Sequence, residues 1–277
     1  MLEILPSRLR AQPSRTGAVI VTLYGDAIAP RGGSLSLGTL LQIFRALAVA
    51  DGVVRTAVSR LTAGGWLARR RMGRNSYYRL APRGMAGTEA AAARIYGPPS
   101  PAWGGRLQLV LLEPGVAREQ TRQALLHAGW GAAAPGLLVA PVSAELPRAP
   151  GTLLLRAETD PATARRLAAQ AWPLDALGDR YATFLETFPT SLAALKGLEA
   201  LLARTLLVHE YRSIVLRDPR LPAELLPENW PGHAARRRVA ALYQALRAES
   251  EGWLDAEAIG ENGRLPQPDP ALARTFA

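Results

Sequence analysis

Between Asp51 and Leu80 the chain reads DGVVRTAVSRLTAGGWLARRRMGRNSYYRL, and its chemically capable side chains are guanidiniums and short hydroxyls. Arg55, Thr56, Ser59 and Arg60 recur at helical spacing, and Arg69, Arg71 and Arg74 follow close behind. The chemistry open to such groups is recognition. A guanidinium fork grips a phosphate or a guanine edge, and a short hydroxyl reaches a base without holding the backbone away. None of these residues forms a nucleophile with an adjacent base. The plainer account of the arginines is a solvated hairpin, and of Thr56 and Ser59 ordinary helix polarity facing water.

The elements that must position these groups follow from the same stretch. Asp51 can cap a helix in which Val54, Ala57, Val58 and Leu61 fall at i, i+3, i+4 and i+7, so one face packs inward while Arg55, Thr56, Ser59 and Arg60 project from the other. Gly64-Gly65 stops that helix. Trp66 to Met72 and Ser76 to Leu80 then read as strands around Gly73-Arg74-Asn75, a loop with tight-turn chemistry, and Arg69, Arg70, Arg71, Arg74 and Arg79 make the hairpin cationic. Upstream, Ser14 or Thr16 starts a first helix with Ile20, Leu23, Tyr24, Ala27 and Ile28 on its apolar face, broken at Pro30-Arg31-Gly32-Gly33. Ser36 caps a second, which buries Leu37, Leu40, Leu41, Phe44 and Leu47. Three helices before a hairpin is the order of a winged helix-turn-helix. Leu9 to Arg15 forms a short basic arm ahead of it, and Arg83 to Tyr96 a further helix behind it.

Charge placement supports this reading. Met1 to Arg83 holds 13 arginines and 3 acidic residues, whereas the remaining chain balances 20 basic against 20 acidic side chains. A basic segment joined to a neutral body is the expected layout of a nucleic-acid reader, because only the first part displaces counterions from phosphates. Lys196 is the sole lysine, so the preference for arginine is a bias of the whole chain. The absence of cysteine excludes disulfides, zinc fingers and thiol catalysis. His127, His209 and His233 are too scattered to indicate a metal centre, and no cofactor is expected. No apolar run approaches the roughly 20 residues of a membrane helix, and the N-terminus lacks a secretory pattern, so a cytoplasmic protein without membrane partners is expected.

Gly97-Pro98-Pro99-Ser100-Pro101 marks a linker. Beyond it, Arg106–Leu112 reads as a strand, Arg118–Trp130 as a helix, Gly136–Val142 and Thr152–Glu158 as strands and Pro161–Trp172 as a helix, an order that suggests a ferredoxin-like unit. Leu174 to Ile259 is helical in pattern, with a long helix expected from Ser191 to about Arg217. The polar, proline-rich tail is expected to be flexible. The chain thus reads as α+β: 1–96 a winged-helix domain, 97–173 a small ferredoxin-fold domain, 174–260 a helical domain and 261–277 a tail.

VTLYGDAIAPRGG at the first turn, VRTAVSRL with GWL in and after the third helix, GRNSYYRL in the hairpin and LVHEYRSIVLRDPRLPAELLPENWPG from Leu207 to Gly232 resemble the PaaX family of bacterial repressors. The similarity extends from about Arg15 to Leu254. The resemblance implies an N-terminal winged helix, a central Cas2-like ferredoxin fold and a C-terminal helical domain. It also implies a homodimer that binds double-stranded operator DNA, represses phenylacetate-type catabolic genes and lets go on binding an aryl-CoA thioester such as phenylacetyl-CoA.

The DNA-contact candidates are then Arg55, Thr56, Ser59 and Arg60 in the major groove, with Arg69, Arg71 and Arg74 on the backbone or minor groove. A coenzyme A ester carries a polyanionic nucleotide end and an apolar acyl end, so its pocket calls for arginine and aromatics. Tyr181, Arg204, His209, Tyr211, Arg212 and Trp230 are the candidates, with packing in the core as their plain alternative. Two other functions are carried forward: a constitutive DNA-binding protein whose C-terminal body recruits a partner, and a Cas2-like metal-dependent nuclease using Glu113 at the end of the first ferredoxin strand.

Overall fold

The apolar stripe beginning at Thr16 forms α1 (Thr16–Leu23), which runs on through a π turn at Tyr24–Ile28 and a 3-10 turn at Ala29–Arg31. Gly32 and Gly33, both at positive φ, end it. This computed structural model describes residues 15–115, 117–141, 151–270 and 275–276, so most of the basic arm expected at Leu9–Arg15 lies outside the described residues. Next come β1 (Leu35–Ser36), α2 (Leu37–Ala46), α3 (Asp51–Ala63), the hairpin of β2 (Leu67–Met72) and β3 (Asn75–Leu80), and α4 (Pro82–Ile95). The three strands pair antiparallel in the order β1-β3-β2.

Capping follows the sequence reading at one helix and departs from it at another. Ser36 Oγ accepts from Thr39 N at 3.1 Å and caps α2. Ala50, not Asp51, occupies the cap position of α3. Asp51 sits inside the first turn, where Arg45 engages it with both arms of its guanidinium, Nε to Oδ1 at 2.7 Å and Nη2 to Oδ2 at 2.6 Å. That fork fixes the joint between α2 and α3.

The chain divides into two compact units, one of residues 1–97, 184–213 and 236–277, the other of residues 98–183 and 214–235. The linker at Gly97 coincides with a boundary, but the helical C-terminal stretch is shared between the units and is not a separate body. The divisions fall inside α7 (Leu174–Thr187), α8 (Gly197–Val215) and α9 (Pro231–Glu257).

In the second unit, β4 (Arg106–Leu112), α5 (Arg118–His127), β5 (Gly131–Ala134), β6 (Leu137–Pro141), β7 (Thr152–Glu158) and α6 (Pro161–Ala171) follow in order. The sheet is antiparallel throughout, ordered β5-β6-β4-β7. Val110, Leu112, Leu125, Trp130, Leu138 and Ala140 form its core. The expected helix over 118–130 stops at His127, and β5 was not anticipated: Gly131-Ala-Ala-Ala134 carries no β-branched or aromatic side chain to signal a strand. Val142, at the end of the next expected strand, lies outside the described residues.

In the first unit the core is tied by two buried arginines, Arg204 and Arg31. Arg204 of α8 donates from Nε to Asp26 Oδ2 at 2.8 Å, from Nη2 to Asp26 O at 3.1 Å and to Tyr243 OH at 3.0 Å, and from Nη1 to Ser250 Oγ at 3.0 Å and to Glu251 Oε1. Asp26 accepts a further bond from Tyr96 OH at 2.6 Å. Arg31, wholly buried, donates to Glu251 and Asp255 of α9 and to Pro266 O at 3.0 Å. The expected α8 start at Ser191 gives way to a 3-10 turn at Thr190–Ala194, and the helix proper begins at Gly197, at positive φ. The segment after Gly260 is partly ordered: Ile259–Gly260 (β8) pairs with Gly263–Arg264 (β9), and Leu265 is buried.

Candidate nucleic-acid interface

Helix α3 buries Val54 and Val58 and holds Arg55, Thr56, Ser59 and Arg60 in water. At 100° per residue, Thr56 and Ser59 lie centrally on the exposed arc, with Arg55 at one edge and Arg60 at the other. The helix therefore borders two openings. A polar groove of about 960 Å³ on the Arg55 side is lined by Arg55, Ser59 and Thr62 of α3, by Gln42 of α2 and by Arg69 and Arg74 of the hairpin. A more apolar cleft of about 690 Å³ on the Arg60 side is lined by α1, α3, Trp66 and Arg212. Arg71 lines neither; at the hairpin tip its Nε donates to Gly73 O at 3.3 Å.

The described arginines of the basic segment divide by whether they form an ion pair or stack. Arg31 is paired with Glu251 and Asp255, Arg45 with Asp51, and Arg70 and Arg79 with Glu261, while Arg15 lies 3.7 Å from Glu210. Arg83 stacks over Trp66, 5.6 Å from the ring centroid, and donates to Gly64 O at 3.0 Å. Arg55, Arg60, Arg69, Arg71 and Arg74 form no ion pair among the described residues, and all five are exposed. Arg69 is oriented by Ser76 Oγ, which accepts from its Nη2 at 2.9 Å. A groove edged by uncompensated guanidiniums and short hydroxyls can hold a polyanion and read what lies between its charges.

The six effector candidates are divided between the units. Tyr181 and Trp230 belong to the second, where their rings meet edge to face at 5.8 Å and Tyr181 OH donates to Asp218 Oδ2 at 2.6 Å. Arg204, His209, Tyr211 and Arg212 belong to the first. Arg204 is a correction: its five N–H groups are all taken by the network above, which leaves none for a ligand. Burial would lower its pKa, but Asp26, Tyr243 and Glu251 raise it above the ordinary guanidinium value.

Burial, with Arg212 and Arg15 nearby, brings His209 down to about 4, so the ring is neutral near pH 7. Thr22 spends its one hydroxyl hydrogen on Ala18 O at 3.0 Å, and His209 Nδ1–H therefore donates to Thr22 Oγ1 at 3.2 Å. Tyr211 packs near Phe184 and Phe276. Arg212 alone of the six lines either opening beside α3. Burial lowers its pKa, and it makes no ion pair among the described residues.

Residues that sequence reasoning passed over are Asp26, Glu251 and Glu261, the carboxylates that decide which arginines are occupied. Asp26 had a signal, a lone acid inside the apolar run VTLYGDAIAP; the other two had none. Glu113 is exposed, and among the described residues no group of three or more His, Cys, Asp or Glu is placed to hold a metal ion.

An exposed helix and hairpin carrying five guanidiniums with no ion pair among the described residues, on an α+β chain, form a surface of the class that can hold a polyanion. The family model described as PaaX-like protein matches residues 15–84, and that of the PaaX-like protein C-terminal domain matches residues 172–256. The chain is 31% identical over 300 residues to the transcriptional repressor PaaX of Escherichia coli (strain K12), covering 97% of this chain and 92% of that one. It therefore belongs to the PaaX family. An uncharacterised protein from Mycobacterium tuberculosis shares the fold, with a TM-score of 0.59 at 24% identity, over 84% of this chain and 95% of that one. Among the described residues no helix is long and apolar enough to cross a membrane.

Proposed function

We propose that this protein is a DNA-binding transcriptional repressor of aromatic-acid catabolic genes of the phenylacetate type, released from its operator by an aryl-CoA thioester such as phenylacetyl-CoA. The observation that carries the reading is the set of five unpaired, exposed arginines on α3 and the β2–β3 hairpin, in a unit whose other described arginines of the basic segment are engaged. Membership of a family that includes a transcriptional repressor supports a regulator rather than an enzyme.

The helix, short strand, two helices and hairpin, with strands in the order β1-β3-β2, support a winged helix-turn-helix. In that reading α3 enters the major groove and the hairpin follows the backbone. The β5-β6-β4-β7 order supports a ferredoxin-like, Cas2-like second unit. A homodimer would place two α3 helices on half-sites about one DNA turn apart, or a multiple of it. Its contact surface would include the outer strand β7, where Leu153, Leu154 and Leu155 are 50%, 41% and 52% exposed. A coupling of about 1–3 kcal/mol between thioester and operator is enough for a 5- to 150-fold release.

The test is fluorescence anisotropy with DNA from upstream of the gene's own cluster and with random duplex, each with and without phenylacetyl-CoA, phenylacetate and free coenzyme A. Preference for the upstream DNA, abolished by the thioester alone, is expected. Equal affinity for both duplexes would remove the repressor assignment.

A further inference from the structure

The cleft on the Arg60 side of α3 is built as a ligand site. Its walls are Val21 of α1, Val53, Ala57 and Leu61 of α3, and Trp66. It is open because small residues line it: a Cβ on Gly17 would meet only Leu61, at 3.9–4.0 Å, and one on Gly52 would meet nothing within 4 Å. At its edge stand Arg60 and Arg212, neither in an ion pair among the described residues. Arg212 is half-buried, so its charge is partly stripped of water without a carboxylate in return. An apolar slot of about 690 Å³ with two guanidiniums beside it fits an amphipathic organic anion, ring inside and charge on the arginines.

We infer that this cleft is the effector site: it takes the apolar acyl end of an aryl thioester between α1 and α3, with Arg60 and Arg212 holding the anionic part of the carrier. The inference rests on the repressor reading given above. It also gives that reading a mechanism. Thr56 and Arg60 line the cleft and stand on the exposed arc of α3, so a ligand seated there takes side chains that DNA also requires. Thioester and operator then exclude each other by direct competition, without a rearrangement of the dimer.

Isothermal calorimetry on the full chain tests this with phenylacetyl-CoA as the probe, comparing the natural protein, Gly17→Phe, which fills the slot from α1, and Arg212→Gln. The natural protein should bind. Gly17→Phe should lose at least about 30-fold in affinity and Arg212→Gln about 10-fold, as expected for a filled slot and a lost charge-assisted contact. Both variants should melt at the temperature of the natural protein, which separates a lost site from a lost fold, and saturating operator should suppress the heat of the natural protein. If the natural protein binds the thioester and both variants bind it equally well, the site is wrong while the repressor reading stands. If operator-bound protein takes the thioester with unchanged affinity, the competition is wrong. No heat from the natural protein with any aryl-CoA would overturn the effector reading itself.

Discussion

Glu261 accepts a hydrogen bond from Arg79 and lies 3.3 Å from Arg70, so one carboxylate from the C-terminal segment engages two hairpin arginines and offsets one of their two charges. The contact with Arg79 holds the Glu261 carboxyl below its usual range, and it stays ionised through neutral pH. Glu261→Gln should raise affinity for DNA of any sequence and steepen the dependence of log K on log salt by up to about one unit. Salt titrations on random duplex measure this. An unchanged slope would mean that Arg70 and Arg79 stay clear of phosphates.

Arg55 and Arg74 line the same groove from different elements, one on α3 and one at the hairpin tip. Arg55→Ala should cost on the order of 1–3 kcal/mol on operator DNA and relax base preference, whereas Arg74→Ala should weaken binding to all sequences alike. Competition assays with operator variants separate the two. Equal losses on operator and random DNA for Arg55→Ala would withdraw it from base contact.

Asp26 offers Arg204 both a carboxylate and a backbone oxygen in a site closed to water. Asp26→Ala leaves a buried guanidinium short of its main counterion and should cost about 3–5 kcal/mol. Urea denaturation reads the loss directly. A shift below about 1 kcal/mol would show that Glu251 alone suffices.

His209 has a folded pKa of about 4 against an unfolded value of about 6.5. Between those values the unfolded chain binds the extra proton, so stability is lost as pH falls from 6.5 toward 4, by up to about 3 kcal/mol. His209→Gln should flatten this acid limb. Melting temperatures across that window compare the two proteins, and parallel curves would exclude His209 as the source.

The outer strand β7 exposes Leu153 and Leu155. Replacing both with Asp should leave the fold intact and convert a dimer to a monomer, with weaker operator binding because the two half-sites are no longer held together. Sedimentation velocity decides it; a dimer that persists moves the interface elsewhere.

Much of the fold was legible because it depends on neighbours in sequence. The period of Val54, Val58 and Leu61, the cap at Ser36, the glycines after α1 and the turn at Gly73 each follow from interactions spanning a few residues. The GAAA strand was not, since its only instruction to extend is pairing with β6. The candidate site was half legible in the same sense. Sequence placed Arg55, Arg60, Arg69, Arg71 and Arg74 on one helix and one hairpin, yet it could not say which of the 13 arginines in the first 83 residues keep their charge for a partner.

For Arg31, Arg70 and Arg79 that selection is made by Glu251, Asp255 and Glu261, which return more than 180 positions later to engage them. It also made Arg204 a member of the core and not a ligand contact. Residue type fixes that an arginine carries charge. Whether that charge is spent inside the protein depends on which carboxylate the folded chain brings within about 4 Å, where an ion pair forms, and no local pattern encodes that distance.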